Sequence, residues 1–405
     1  MARLFAAFFV LLSCFCGVRN AHAVWPKPAY MKVGGVARIE VSSFNVTDPG
    51  HVLAGDLLGA FQRAKSNIFT HGTGSDYGRR ASATAQLVVK VHDPSAELQA
   101  GVDESYELSI ESVDEVQPPV ISLTSKTQFG LYHALETLSQ LIVYDFDAEA
   151  YVVTPVQIKD EPRFQHRGLL VDSSRHFQPV ASLEAVIDSM AYAKLNVLHW
   201  HLIDTQSFPF DSPSYPLLGS KGAFSPVERY TAGDLAHIKK YAKARGVRVM
   251  AELDMPGHAG SWCKGHPEIC PDPACPEPLN VAKNETFEVV GGILNDLTDI
   301  FDENMIHLGG DEVDTSCWES SNEISKWLTD NHMTTDEAYS YFIARVQKIA
   351  QSHGKSVIGW EEIWKHFKTD LDPSTIIHQW LPGSTVGPEV TAAGYRLIWS
   401  TYESW

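Results

Sequence analysis

The segment HLGGDEVDTSCW, residues 307–318, sets two carboxylates side by side, Asp311 and Glu312, directly after a pair of glycines. Neighbouring side chains of a regular strand face opposite ways, so two adjacent acids cannot both serve one reactant from a strand. Gly309 and Gly310 lift that constraint, because glycine lets the chain leave strand geometry. Two close carboxyls ionise less readily as a pair, and the adjacency predicts one that keeps a proton near neutral pH beside one that stays charged. A proton donor next to fixed negative charge is the requirement for splitting a glycosidic bond: a proton for the departing oxygen and an anion facing an oxocarbenium-like centre. The bland alternative is an acidic, solvated loop.

Other apolar runs end in the same manner. They close on Arg167 and Asp172; on His199, His201 and Asp204; on Asp254 and His258; on Trp360, Glu361 and Glu362; and on His378 and Trp380. Charged side chains are seldom buried without partners, so their repetition after apolar runs points to a shared polar site. His258 sits in a bend marked by Pro256 and Gly257 and is expected to orient Glu312 while Asp204 holds it, a carboxylate–imidazole–carboxylate relay. Trp360 and Trp380 are expected as flat apolar walls. His199 and His201 share strand parity, and such a pair can hold zinc; the acids, however, cluster as a pair rather than spread as ligands. Packed histidines and no metal are therefore expected.

The elements that must carry these residues repeat one unit from about residue 165 onward, an amphipathic helix followed by a β-rich apolar run. SLEAVIDSMAYAKL spaces Leu183, Val186, Ile187 and Met190 for one helix face and leads into NVLHWHLID. Seven runs read as buried strands: HRGLLVDSS, NVLHWHLID, VRVMAELD, NMIHLGGDE, SVIGWEE, TIIHQWL and YRLIWS. Strands alternating with helices require a parallel sheet, and polar residues always at the strands' C-terminal ends fit a (β/α)8 barrel, incomplete with about seven strands. An open doubly wound sheet is disfavoured, since no phosphate-type glycine loop follows a strand. Residues 24–160 read as a separate small α/β sheet domain, and 161–405 as the barrel.

The first 23 residues, a basic residue, a short apolar core and Ala21-His22-Ala23, read as a secretory signal. No later stretch approaches the roughly 20 apolar residues of a membrane span. The formal charge of −18 excludes the positive footprint that nucleic-acid binding needs. Four cysteines follow the signal, Cys263, Cys270, Cys275 and Cys317, an even number that suggests two disulfides with three connectivities open. Asn45 and Asn284 head N-x-S/T triplets compatible with glycosylation.

HRGLLVDSSRHF, LNVLHWHLIDTQSFP, AELDMPGHAGSW and HLGGDEVDTSCW, in that order, together with the early VWPKPA, resemble the family 20 glycoside hydrolases, the β-N-acetylhexosaminidases of plant and animal lysosomal type. The resemblance implies removal of terminal β-linked N-acetylglucosamine or N-acetylgalactosamine with retention, through an oxazolinium-type intermediate made by the substrate's own acetamido oxygen, and no metal or cofactor. It assigns Glu312 as general acid and base, Asp311 to the acetamido group, Asp204 and His258 to supporting Glu312, Arg167 to sugar hydroxyls, and Trp360 and Trp380 to the acetamido pocket. It also implies disulfides Cys275–Cys317 and Cys263–Cys270, a homodimer, amino-sugar glycoconjugates or chitin oligomers as substrates, and a lysosomal, vacuolar or extracellular destination. Where relatives continue with a tyrosine and an eighth strand, this sequence stops at TYESW, so a truncated barrel is expected, with a catalytically inactive sugar-binding relative as the alternative reading.

Overall fold

The computed structural model describes residues 24–34, 39–48, 50, 55–71, 83–111 and 119–400. The expected signal segment lies outside them. The chain divides into two compact units, residues 1–96 with 103–163, and residues 97–102 with 164–405.

Among its described residues the first unit is a mixed sheet with two helices. In chain order its elements are β1 (Tyr30–Val33), β2 (Ile39–Thr47), α1 (Gly55–Ile68), β3 (Ala83–Asp93), β4 (Tyr106–Glu111), β5 (Val120–Thr127), α2 (Gln128–Leu141), β6 (Val143–Asp145), β7 (Ala150–Val153) and β8 (Val156–Asp160). The strand order is β1-β8-β4-β5-β3-β2-β7-β6. Strands β3, β4 and β5 bury alternate residues, Leu87 and Val89, Leu108 and Ile110, Ile121 and Leu123, as a half-buried sheet should. Helix α2 starts where the Thr127 hydroxyl accepts from the Phe129 N–H at 3.2 Å. Gly130 lets it lie against the β4 approach, since a Cβ there would stand 2.3 Å from the Ser105 carbonyl oxygen.

The second unit is a curled parallel sheet of the barrel type wrapped by helices. Its strands are β9 (Gly168–Asp172), β10 (Val197–Ile203), β11 (Arg248–Leu253), β12 (Met305–His307), β13 (Ser356–Trp360), β14 (Ile376–Gln379) and β15 (Arg396–Trp399), each hydrogen-bonded to the next in sequence. All six pairings are parallel. The longer connecting helices are α3 (Val180–Tyr192), α4 (Ala232–Lys243), α5 (Asn284–Ile300) and α6 (Thr335–Ser352). Capping boxes start α4 at Thr231 with Asp234 and α6 at Thr334 with Glu337. Gly246 and Gly354, both at φ +75°, take the chain out of these two helices into β11 and β13.

Strand parity explains why these strands read as unbroken apolar runs while carrying a polar site. Leu198, Trp200, Leu202, Val249, Ala251, Leu253, Ile306, Val357 and Ile377 pack into the core shared with the helices. The alternate positions Val197, Met250, Ile358 and Ile376 form a second apolar cluster inside the curl. Two residues further along the same parity stand His199, Glu252, Trp360 and His378, so the interior changes from apolar to polar toward the strands' C-terminal ends.

Candidate active site

Register brings Asp172, His201, Glu252 and His307 abreast across β9 to β12. Glu252 is wholly buried, and its carboxylate is the junction of this layer. Its Oε2 lies 2.7 Å from His199 Nε2 and 2.8 Å from His201 Nδ1, and its Oε1 accepts from the Trp360 indole N–H at 2.8 Å. Burial opposes charge on Glu252, but the surrounding imidazoles, His201 foremost, outweigh it and hold the carboxyl well below its usual range. His201 responds in kind: burial disfavours the cation, yet the Glu252 charge and a hydrogen bond to Asp204 raise it to about 10.

From His201 the contacts continue outward. His201 Nε2 lies 2.8 Å from Asp204 Oδ2, and Asp204 Oδ1 lies 3.3 Å from His258 Nδ1. His258 Nε2 then stands 3.4 Å from Glu312 Oε2 and 3.5 Å from Asp311 Oδ2, between the two acids of the HLGGDE segment. Burial works against both central groups and is overcome. Hydrogen bonds from His201 and His258 keep Asp204 below the carboxylate range, while the hydrogen bond to Asp204 and the charge of Asp311 lift His258 to about 9. Arg175, from the loop after β9, ties down the same carboxylate, with NH2 2.7 Å from Asp204 Oδ2 and NH1 donating to Asp172 Oδ2 at 2.7 Å.

Local backbone places the two acids. Gly309 and Gly310 lie at φ +66° and +89°, and Glu312 and His258 adopt positive φ of 49° and 52°. For residues bearing a Cβ this is a costly conformation that persists where surroundings impose it, as at functional sites. Gly309 has a second reason: a Cβ would fall 1.7 Å from Asp254 Oδ1, the oxygen that accepts from the Gly310 N–H at 3.0 Å. The Tyr339 hydroxyl holds the Gly310 carbonyl. The turn leaves Asp311 buried and the Glu312 side chain 60% exposed. Asp311 is in hydrogen-bond contact with Asp254, and its Oδ2 lies 3.5 Å from His258 Nε2.

Trp360 is buried, stacked on His378 with ring centroids 4.3 Å apart and edge-on to Trp380 at 6.0 Å. Trp380 donates its indole N–H to Glu362 Oε2 at 3.1 Å, and the buried Glu361 accepts from the Leu381 N–H at 3.1 Å and from the Ser384 hydroxyl. The adjacent glutamates after β13 thus bracket the turn that carries Trp380. Burial raises Glu362 to about 7 despite the indole hydrogen bond.

Comparison with known proteins decides the family. Residues 164–405 match the catalytic domain of glycosyl hydrolase family 20, and residues 24–141 match the beta-acetyl hexosaminidase-like domain. The chain belongs to glycosyl hydrolase family 20. It is 43% identical to beta-hexosaminidase 3 of Arabidopsis thaliana over 94% of this chain and 72% of that protein. It is 35% identical to the beta-hexosaminidase alpha subunit of Bos taurus over 96% of this chain and 77% of that one. Among solved structures, Flavobacterium johnsoniae chitobiase superposes with a TM-score of 0.77 at 27% identity, covering 93% of this chain and 59% of that chain. By these relationships it is a glycoside hydrolase of the β-N-acetylhexosaminidase type.

Within this family 20 hydrolase two expectations need correction. Arg167 was expected at the sugar, but it precedes β9 and sits at the opposite end of that strand from Asp172; its guanidinium donates to the Lys194 and Phe164 carbonyls at 2.8 Å each. Arg175, eight residues on, is the arginine beside the acids. The coupled acid pair is also not Asp311 with Glu312. Asp254 is the carboxyl in hydrogen-bond contact with Asp311; deep burial raises both, Asp254 well above its usual range as the charges of Asp311 and Glu252 add to it, so the pair together retains a proton. Glu312 instead turns out at positive φ.

The disulfides join Cys263 to Cys270 and Cys275 to Cys317. The second ties the loop after β11, which carries His258, to the segment after Glu312. Several His, Asp and Glu groups come close enough to surround an ion, among them His199–Glu252–His307 and His258–Asp311–Glu312. In the first group both Glu252 oxygens are already engaged by ring N–H groups. The side chains of Asn45, on β2, and Asn284, at the start of α5, are exposed, as glycosylation would require. Among the described residues no helix is long and apolar enough to cross a membrane.

Proposed function

We propose that this chain removes terminal, non-reducing β-linked N-acetylglucosamine or N-acetylgalactosamine from glycoconjugates or chitin oligomers with retention of configuration. In this reading the substrate's acetamido oxygen attacks the anomeric carbon as the glycosidic C–O bond breaks, and the Glu312 carboxyl gives its proton to the departing oxygen. The products of that step are an alcohol and a cyclic oxazolinium ion. Water then adds to the anomeric carbon, losing a proton to the Glu312 carboxylate, and the ring reopens to the acetamide. Asp311 accepts the acetamido N–H and offsets the positive charge as it grows. Trp360 and Trp380 flank the acetyl group, and Asp204 through His258 holds Glu312 in place.

The observation that carries the reading is the position of His258, bonded to Asp204 and standing 3.4 Å from Glu312 and 3.5 Å from Asp311. Two carboxyls gathered about one imidazole fit an amide N–H and a leaving oxygen on one sugar. Glu312→Gln tests it. With a phenyl N-acetylglucosaminide, kcat/KM is expected to fall by about 10³-fold, within the range for loss of a general acid, while an aryl glucoside lacking the acetamido group is untouched by either protein. Saccharide binding without turnover in the wild type would favour the inactive sugar-binding alternative. The reading also implies passage through the secretory pathway to a lysosome, vacuole or the exterior, and a homodimer.

A further inference from the structure

The relay expected from sequence ends at Asp204, but the contacts do not. Asp204 is wholly enclosed, and its Oδ2 is held by His201 and Arg175 while Oδ1 reaches His258. His201 is in turn fixed on its other nitrogen by Glu252, at 2.8 Å. Five side chains from three strand ends therefore form one line, Glu252–His201–Asp204–His258–Glu312, hydrogen-bonded as far as His258, whose Nε2 stands 3.4 Å from Glu312, and running from the middle of the curled sheet to its rim. We propose that His201 and Glu252 are positioning residues for the proton-donating step, fixing Asp204 and through it the His258 ring against the Glu312 carboxyl. This rests on the functional reading above and deepens it.

The geometry separates His201 from its neighbour. His199 and His201 both touch Glu252 Oε2, at 2.7 and 2.8 Å, and both are almost fully buried. Only His201 also reaches Asp204; the other contacts of His199 are ring stacks on His307 and near-contacts with Trp360 and His378. The pair is a built-in control, since removing either deprives Glu252 of one imidazole but only one breaks the line. The ionisable groups facing His201 are Glu252 and Asp254 from β11, Asp204 from its own strand end, and Arg175, whose NH1 lies 3.4 Å from Nε2. With Asp204 and Glu252 on its two nitrogens, the ring carries both protons, so neither contact depends on a tautomer change.

The experiment compares wild type, His201→Gln, Glu252→Gln and His199→Gln on two aryl N-acetylglucosaminides, one with a dinitrophenyl leaving group that departs without a proton and one with unsubstituted phenyl, which needs it. His201→Gln and Glu252→Gln are expected to lose about 100-fold in kcat/KM on the phenyl substrate, mostly in kcat, and less than about 5-fold on the dinitrophenyl one, the signature of impaired acid assistance. His199→Gln is expected to lose evenly on both. Equal losses on both substrates in all three variants would overturn the proposal. A second readout needs no turnover: in 15N spectra of histidine-labelled protein, the His258 ring should titrate closer to the free-imidazole value of about 6.5 in His201→Gln but not in His199→Gln. A His258 titration unmoved by His201→Gln refutes the positioning role whether or not the enzyme is active. If the wild type cleaves neither substrate, the functional reading fails on its own, and the His258 titration alone decides the line.

Discussion

Two arginines flank the strand GLLVD, and nothing in their identity says which one faces a substrate. Arg167 lies before β9, where the curled sheet offers stability, and its guanidinium closes backbone carbonyls. Arg175 lies after it and neutralises Asp204, a carboxylate with no exposure of its own. Removing one partner of a buried ion pair leaves an uncompensated charge, whereas removing a guanidinium that caps carbonyls costs a few hydrogen bonds. Arg175→Gln is therefore expected to lower kcat/KM by about 100-fold, since the freed Asp204 no longer holds His258 square to Glu312. Arg167→Gln should leave kcat within about 3-fold and instead lower stability by roughly 1–3 kcal/mol. Urea denaturation beside steady-state kinetics on both variants checks the contrast; a larger kinetic loss in Arg167→Gln would reverse the assignment.

At the scale of elements, the sequence was most readable where period and direction coincide. All seven runs read as strands are β9 to β15, because helices at 3.6-residue spacing separate them and glycines at 246 and 354 close two of those helices, but the outermost two, β9 and β15, are half-buried to exposed rather than buried. The relay from Asp204 through His258 to Glu312 was readable too, since each residue ends a strand and a parallel sheet gathers strand ends. Glu252 was not. It stands inside VRVMAELD, where a lone acid looks like an error in an apolar run, and only the cross-strand register with His201 and His307 reveals its role. Asp254 was seen as a strand-end acid, but its pairing with Asp311 follows from the positive φ of Gly309 and Gly310, a turn the sequence permits without specifying. The disulfide Cys275–Cys317 joins two loops that hold opposite sides of this turn, closing 42 residues. On loop-closure entropy its removal by Cys275→Ser with Cys317→Ser costs roughly 4 kcal/mol. Because the tie spans the segments bearing His258 and Glu312, kcat should fall together with the urea midpoint. A double variant that loses stability but keeps full kcat would show that these loops are held by packing alone, for example by the buried Trp318, whose indole N–H donates to the Leu279 carbonyl at 3.0 Å.

Taken over the whole molecule, the site's ionisable groups give stability a direction in pH. Asp204 is held below its ordinary range, so its contribution is present above about pH 4 and is lost only as pH falls further. Glu252, held well below its usual range, acts in the same sense, and so do the buried imidazoles of His307, lowered to about 4, His166, lowered to about 3, and His378, which burial keeps neutral and which add stability as pH rises toward 6.5. Other groups point the other way. Glu362 is raised from 4.5 to about 7, so the folded state binds a proton there that the unfolded chain has released, and this advantage disappears as pH rises through that window. His258 and His201, raised from 6.5 to about 9 and about 10, stabilise the fold fully below pH 6.5 and lose that contribution as pH climbs through their folded values. Asp254, pushed well above its usual value, adds to the same slope. The formal charge of −18 at pH 7 works in the same sense, because acidification relieves self-repulsion. Below pH 6.5 the raised carboxyls and the lowered imidazoles oppose one another, whereas above it the losses at His258 and His201 act together, so urea midpoints at constant ionic strength should fall from about pH 7 to pH 10. Glu362→Gln should gain midpoint relative to the wild type between pH 5 and pH 7 and leave the later fall, while His258→Gln should flatten part of that fall. A midpoint difference between Glu362→Gln and the wild type that stays constant from pH 5 to pH 7 would mean that Glu362 is not protonated in the folded site.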